Sequence, residues 1–215
     1  MHDHYSEVTR IARSLQDLDG PNVNPLCHTR VYTHGERAER SLVLLQSFTN
    51  CPQQFDTLGR RFFERGWNVV IPRYPRHGYS DRLNMMSLAA KRLPNFYMWW
   101  DGELKDGLGP PYGYPRLSTH AYAAVFGCGR ELVRSARRAK PKARSLVVVT
   151  NAAETRLDNR FTYHLVDAWR RHGAGVETFD FTRSDGLTHD LIDPGNAAQR
   201  IEHVYPIVIR LIEGA

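Results

Sequence analysis

The side chains of this chain that could do chemistry lie at the ends of apolar runs. Glu154 and Asp158 follow the run Ser145 to Thr150, and His189 stands in the loop GLTHD after a second run, Val176 to Phe181. Ser47 closes the run that starts at Leu42, and Ser80 closes the turn His77-Gly78-Tyr79. The C-terminal ends of core strands are where an α/β sheet offers side chains to a ligand. A carboxylate that orients an imidazole, and an imidazole that takes a proton from a hydroxyl, are the parts of nucleophilic acyl transfer. Each residue also has a plain structural use. Glu154 and Asp158 suit the start of a helix over Asn159 to His172, because acids favour a helix N-terminus. A lone loop histidine and two loop serines serve ordinary turns.

The elements that must position these groups follow from the periodicity. Ser41 to Ser80 reads as strand, loop, helix and strand, one βαβ unit. Its two strands, Leu42 to Leu45 and Val69 to Ile71, are apolar without alternation, as expected for parallel strands covered on both faces. The helix between them, Gln53 to Arg65, carries Phe55, Leu58, Phe62 and Phe63 as a core stripe and ends at Gly66. Tyr5, Val8, Ile11, Ala12, Leu15 and Leu18 predict an N-terminal helix with an apolar face. Ser118 is a plausible cap for a helix through Val133, interrupted by Gly127 and Gly129. Strands over Ser145 to Thr150 and Val176 to Phe181 flank the helix from Asn159, and Asn196 to Glu213 closes the chain as a helix with Ile201, Val204, Tyr205 and Val208 inward. The fold class is α/β.

Three segments carry a resemblance to a known family. Pro72, Arg73, Pro75, His77 and Gly78 keep a P-R-x-P-x-H-G turn, SLVVVTNAAETRLDN forms a strand and acid-bearing loop, and GLTHDLIDP forms a histidine loop. Together they resemble α/β-hydrolases of the carboxylesterase and monoacylglycerol-lipase type. The resemblance implies one domain over 1–215, a shortened, mostly parallel sheet flanked by helices, and a small, helical, aromatic-rich cap at about 85–135. It implies His189 as catalytic base and Glu154 as its orienting acid, with Asp158 as the fallback. Gln46, Ser47 and Phe48 then form the oxyanion-hole region, where Gln46-Ser47 replaces the family's His-Gly. Phe96, Tyr97, Trp99 and Trp100 resemble the cap aromatics, with packing of the cap as their chief role.

The family's nucleophile is missing. No G-x-S-x-G occurs, although that elbow is what exposes the attacking serine on a tight strand-to-helix turn. A βαβ unit takes roughly 30 residues. Asp81 to Leu93 is too short to hold one before the cap-like segment, so the nucleophile-bearing unit reads as deleted. The strands at Leu42 and Leu146 are then expected to pair directly, giving the order Val69, Leu42, Leu146, Val176, with Arg30 to Thr33 at the outer edge. Ser47 and Ser80 are the weak nucleophile candidates. The function implied is carboxylic-ester hydrolysis by ancestry, impaired or lost; the alternative is a non-catalytic relic that binds an apolar ligand or a partner.

Composition narrows the classes. With 41% hydrophobic and 24% charged residues over 215 positions the chain is an ordinary globular one, long enough for a full core. No apolar run approaches the roughly 20 residues of a membrane helix, which leads us to expect a soluble, cytoplasmic protein. Cys27, Cys51 and Cys128 are odd in number and lack C-x-x-C spacing, so the expectation is three reduced, mostly buried thiols, no zinc site and no cofactor. The formal charge of +6 concentrates in RELVRSARRAKPKAR, Arg130 to Arg144. Without a nucleic-acid motif beside it, that stretch reads as a solvated helix face, and the expected ligand is a small acyl ester or apolar molecule. Oligomeric state is left open.

Overall fold

The computed structural model describes residues 4–74, 77–78, 96–99, 112–143 and 145–214. Their contacts divide into two compact units, Met1–Tyr122 with Asp193–Ala197, and Ala123–Ile192 with Ala198–Ala215. Of the expected cap at about 85–135, positions 85–95 and 100–111 fall outside the described residues, and so do Ser80 and Trp100.

The first unit holds the βαβ pattern read from the sequence. After α1 (His4–Gln16) come β1 (Arg30–Tyr32), β2 (Ser41–Val43), α2 (Asp56–Phe63) and β3 (Asn68–Ile71). The strands lie in the order β1-β3-β2, with β2 parallel to β3 through Ser41↔Asn68 to Val43↔Val70 and β1 antiparallel on the other side. Leu58 and Phe62 of α2, and Val69 and Ile71 of β3, are fully buried. Two apolar faces depart from expectation. Leu44 is buried, but Val43 and Leu45 are exposed, so the β2 run is covered on one face and not on both. In α1, Ala12 is buried while Val8 and Ile11 are exposed. A short antiparallel pair, β4 (Tyr97–Trp99) with β5 (Arg116–Ser118), completes the unit. The aromatics Phe96, Tyr97 and Trp99 are exposed on it, which corrects the reading of them as packed cap residues, and the Arg116 guanidinium lies 5.5 Å from the Trp99 ring centre.

The cysteines are a second correction. Cys27 and Cys51 form a disulfide across 24 positions, with Cα atoms 5.2 Å apart, and Cys128 is an exposed thiol. Spacing along the chain could not show the pairing, because two separate 3-10 turns, Pro25–Cys27 and Pro52–Phe55, bring the sulfurs together. Gly78 packs against the bridge at φ +76°, where a Cβ would sit 2.6 Å from Cys27 Cβ. Only glycine fits there.

The second unit contains most of α3 (Thr119–Ala136), then β6 (Leu146–Asn151), α4 (Asn159–Arg171), β7 (Val176–Phe181) and α5 (Ile201–Gly214). β6 and β7 run parallel in register from Leu146↔Val176 to Asn151↔Phe181, with α4 as their crossover. Phe181, Leu187 and Val204 form the buried centre, with Val149, Phe179 and Val208 packed around it. α5 begins at Ile201, five residues later than expected, because Asp193 to Ala197 is a loop belonging to the first unit.

Among the described residues β2 pairs with β3 and β6 with β7, in separate sheets, so the expected order Val69, Leu42, Leu146, Val176 is not seen. No described helix is long and apolar enough to cross a membrane.

Candidate acid and base site

The second unit brings two of the expected residues into contact. β6 ends at Asn151, and a tight turn follows in which the Glu154 N–H donates to the Asn151 carbonyl at 3.1 Å. That turn aims the Glu154 carboxylate back across the strand end. One oxygen, Oε1, accepts the N–H groups of Arg156 and Leu157, the latter at 3.2 Å, and the other, Oε2, lies 2.7 Å from His189 Nδ1. A carboxylate only accepts, so Nδ1 donates in this bond. Burial is uneven across the pair. The Glu154 side chain is 8% exposed and that of His189 39%. Burial by itself would raise the Glu154 carboxyl, but the Arg156 N–H, the His189 ring and the Leu157 N–H together outweigh it and hold the group below the ordinary value.

One residue that the sequence reading passed over holds the two loops together. Asn151, buried at the last position of β6, donates from Nδ2 to the carbonyls of Leu187 at 3.2 Å and Thr188 at 3.1 Å, directly before His189. Its Oδ1 accepts the Ala153 N–H at 2.9 Å, and its carbonyl accepts Asn159 Nδ2 at 2.8 Å. The acid turn and the histidine loop are therefore tied to one amide. The only sequence signal was a polar residue ending an apolar run, which looks like any strand terminus. Further support comes from Leu187, whose side chain is buried, and from Gly186, whose φ of +61° turns the chain toward it. Asp185 braces the same turn by closing a capping box with Thr182 and by contacting His203 Nε2 at 2.9 Å.

Asp158 is occupied elsewhere. It caps α4 by accepting the Arg160 N–H at 3.0 Å, and it pairs with the Arg160 guanidinium at 2.6 Å. That ion pair holds its exposed carboxyl below the ordinary range. This is the helix-start role its position allowed.

The oxyanion region of the first unit has a different character. Ser47 is exposed, but its N–H donates to Gln54 Oε1 at 3.0 Å. Gln46 is buried, and among the described residues neither Nε2 nor Oε1 of its side chain has a hydrogen-bond partner. Phe48 packs its ring 5.9 Å from the buried His77, which also meets the edges of Tyr74 and Tyr114 at 5.5 Å. Burial, helped by the Arg73 charge, pulls the His77 imidazole down to about 4, against an opposing backbone hydrogen bond at Asn50. A buried carboxylate completes the loop. Asp193 Oδ2 accepts from Asn50 Nδ2 at 2.7 Å, while Oδ1 accepts the Tyr112 hydroxyl and the Gly195 N–H. Among the described residues no group of three His, Cys, Asp or Glu side chains is arranged to hold a metal ion.

No protein-family model matches the chain, and no curated protein matches it. Among solved structures, a thermophilic esterase from the Planctomycetes species Thermogutta terrifontis, with propionate bound, superposes over 88% of this chain and 94% of its own. The identity is 10% and the TM-score 0.46, a likeness too slight to assign activity or substrate.

Proposed function

We propose that the chain is an α/β-hydrolase-like protein of the carboxylesterase and lipase type that keeps its base and acid but is impaired in turnover. The observation supporting this reading is the 2.7 Å contact between His189 Nδ1 and Glu154 Oε2 at the ends of two parallel strands. In acyl transfer such a pair works in order. Nε2 takes the proton of an attacking hydroxyl as the new C–O bond forms, Glu154 stabilises the imidazolium, and the same proton passes to the departing alcohol as the ester C–O bond breaks. A water molecule then repeats the sequence to release the acid.

The attacking hydroxyl is the missing part, and Ser47, Ser80 or a partner chain would have to supply it. The engagement of the Ser47 N–H by Gln54 favours the second reading, a non-catalytic relic of the fold that binds a small acyl ester or apolar ligand. Labelling by a fluorophosphonate, run beside a short-chain ester assay, separates the two. Residual catalysis predicts slow labelling and slow hydrolysis, both abolished in His189→Ala. An unlabelled, inert wild-type protein leaves the relic.

A further inference from the structure

The helix α3 combines three features that its role in the fold does not use. Between Ala123 and Ser135 nearly every position is exposed, including Val125 at 43%, Leu132 at 47% and Val133 at 37%. These residues are not scattered. At 3.6 residues per turn, Val125, Phe126, Gly129, Leu132 and Val133 fall with Cys128 on one apolar arc about 160° wide. The C-terminal end of the helix and the chain just beyond it are cationic. Arg130 and Arg134 stand on the helix, and Arg137, Arg138, Lys140 and Lys142 follow its last residue, Ala136, against a single acid, Glu131, which is already paired with Arg134 at 2.6 Å. His172 Nε2 contacts the Arg137 carbonyl at 3.1 Å and so brings the basic last turn of α4, with Arg171, beside the same end.

An exposed apolar face asks for a cover, and the charge beside it says of what kind. A basic rim repels a second copy of itself and attracts an anionic surface. A nucleic acid would use the cations but leave the valines and leucine in water, whereas an anionic bilayer uses both: acyl chains take the apolar arc while phosphate headgroups meet the guanidinium groups. The helix is not a membrane span, so the geometry is in-plane. We infer that α3 is a peripheral docking element that lays its Val125, Leu132 and Val133 face on an anionic lipid surface, with Arg137, Arg138, Lys140 and Lys142 at the headgroups. This stands independently of whether His189 catalyses anything.

Co-sedimentation of the full chain with vesicles tests it. Vesicles of equal parts phosphatidylcholine and phosphatidylglycerol should pull the protein down at low salt, and pure phosphatidylcholine vesicles should not. High salt should release it, as screening weakens exposed charge contacts. Val125→Ser with Leu132→Ser should weaken binding roughly a hundredfold, and Arg137→Gln with Arg138→Gln roughly thirtyfold. Far-UV circular dichroism checks that both variants remain folded, and the lipid and salt comparisons on the unmodified chain need no variant. Failure to bind the anionic vesicles overturns the inference. So does a dimer in light scattering that the Val125 and Leu132 changes dissociate, since a second copy would then be the cover. Vesicle binding that survives loss of the apolar residues, with single-stranded RNA retained equally well, would make the patch a plain polyanion site and also overturn it.

Discussion

Two loops end parallel strands in this molecule, and they have become different things. The loop after β6 carries Glu154, which meets the half-exposed His189 from the loop after β7, and Asn151 holds both loops in place. The loop after β2 turns its polar groups inward: Gln54 takes the Ser47 N–H, Asn50 closes on Asp193, and the Gln46 amide is buried with no hydrogen-bond partner among the described residues. Both have the strand-end position at which α/β proteins collect chemistry. Position alone does not make a site. What distinguishes the β6 end is that a second loop arrives with a complementary group, and that a buried anchor, Asn151, fixes both loops.

The comparison can be broken hardest at Asp193. Replacing it with Ala removes the acceptor for two buried donors, Asn50 Nδ2 and the Tyr112 hydroxyl, and for the Gly195 N–H. The cost should be about 4 kcal/mol, read as a lower midpoint in urea denaturation. A smaller change at equal slope would mean that the β2 loop does not depend on this carboxylate.

His77 gives the next effect, and its sign is specific. Its folded value of about 4 lies below the ordinary 6.5, so between those values the unfolded chain binds the proton and the folded chain does not. Stability is therefore unaffected above pH 6.5 and declines as pH falls from 6.5 toward 4, by about 3 kcal/mol in all. His77→Gln should flatten that slope. Denaturation curves at several pH values measure it, and an unchanged slope would place the acid sensitivity elsewhere. Glu154 acts in the same direction at lower pH: its depressed carboxyl contributes stability above the ordinary value of 4.5, lost as the group protonates below it.

Asn151→Ala probes the other loop. It strips donors from the Leu187 and Thr188 carbonyls and should cost about 2 kcal/mol. A pure stability role would leave the His189 ring where it is, whereas the anchoring role predicts that His189 NMR signals shift and broaden while the β7 amides stay in place. The smallest effect runs the opposite way. Gln46→Leu exchanges a buried amide that has no hydrogen-bond partner among the described residues for an apolar group of similar size, and should stabilise the fold by about 1 kcal/mol. A loss of stability on that change would show that the amide has a partner after all.

Much of this was legible beforehand, for reasons that are local. Apolar runs, Gly66 after α2 and the separation of Glu154 from His189 by one βα unit are properties of short stretches, and short stretches fold by their own periodicity and turn chemistry. Reading failed wherever a residue's fate depended on a distant partner. Asp158 stood as the fallback acid behind Glu154, and nothing in NAAETRLDN says that it would face Arg160 instead. Cys27 and Cys51 looked like unrelated thiols.

The sequence by itself determined the α/β class, the parallel βαβ units and the two loops from which an acid and a base would come, because hydrophobic period and chain order suffice for those. Only the tertiary structure decided which acid meets the histidine, that the cysteines bridge, and that β2 and β6 stand in separate sheets. Those outcomes turn on ångström-scale approach between segments far apart in the chain, where a hydrogen bond is either made or lost and no local pattern records which.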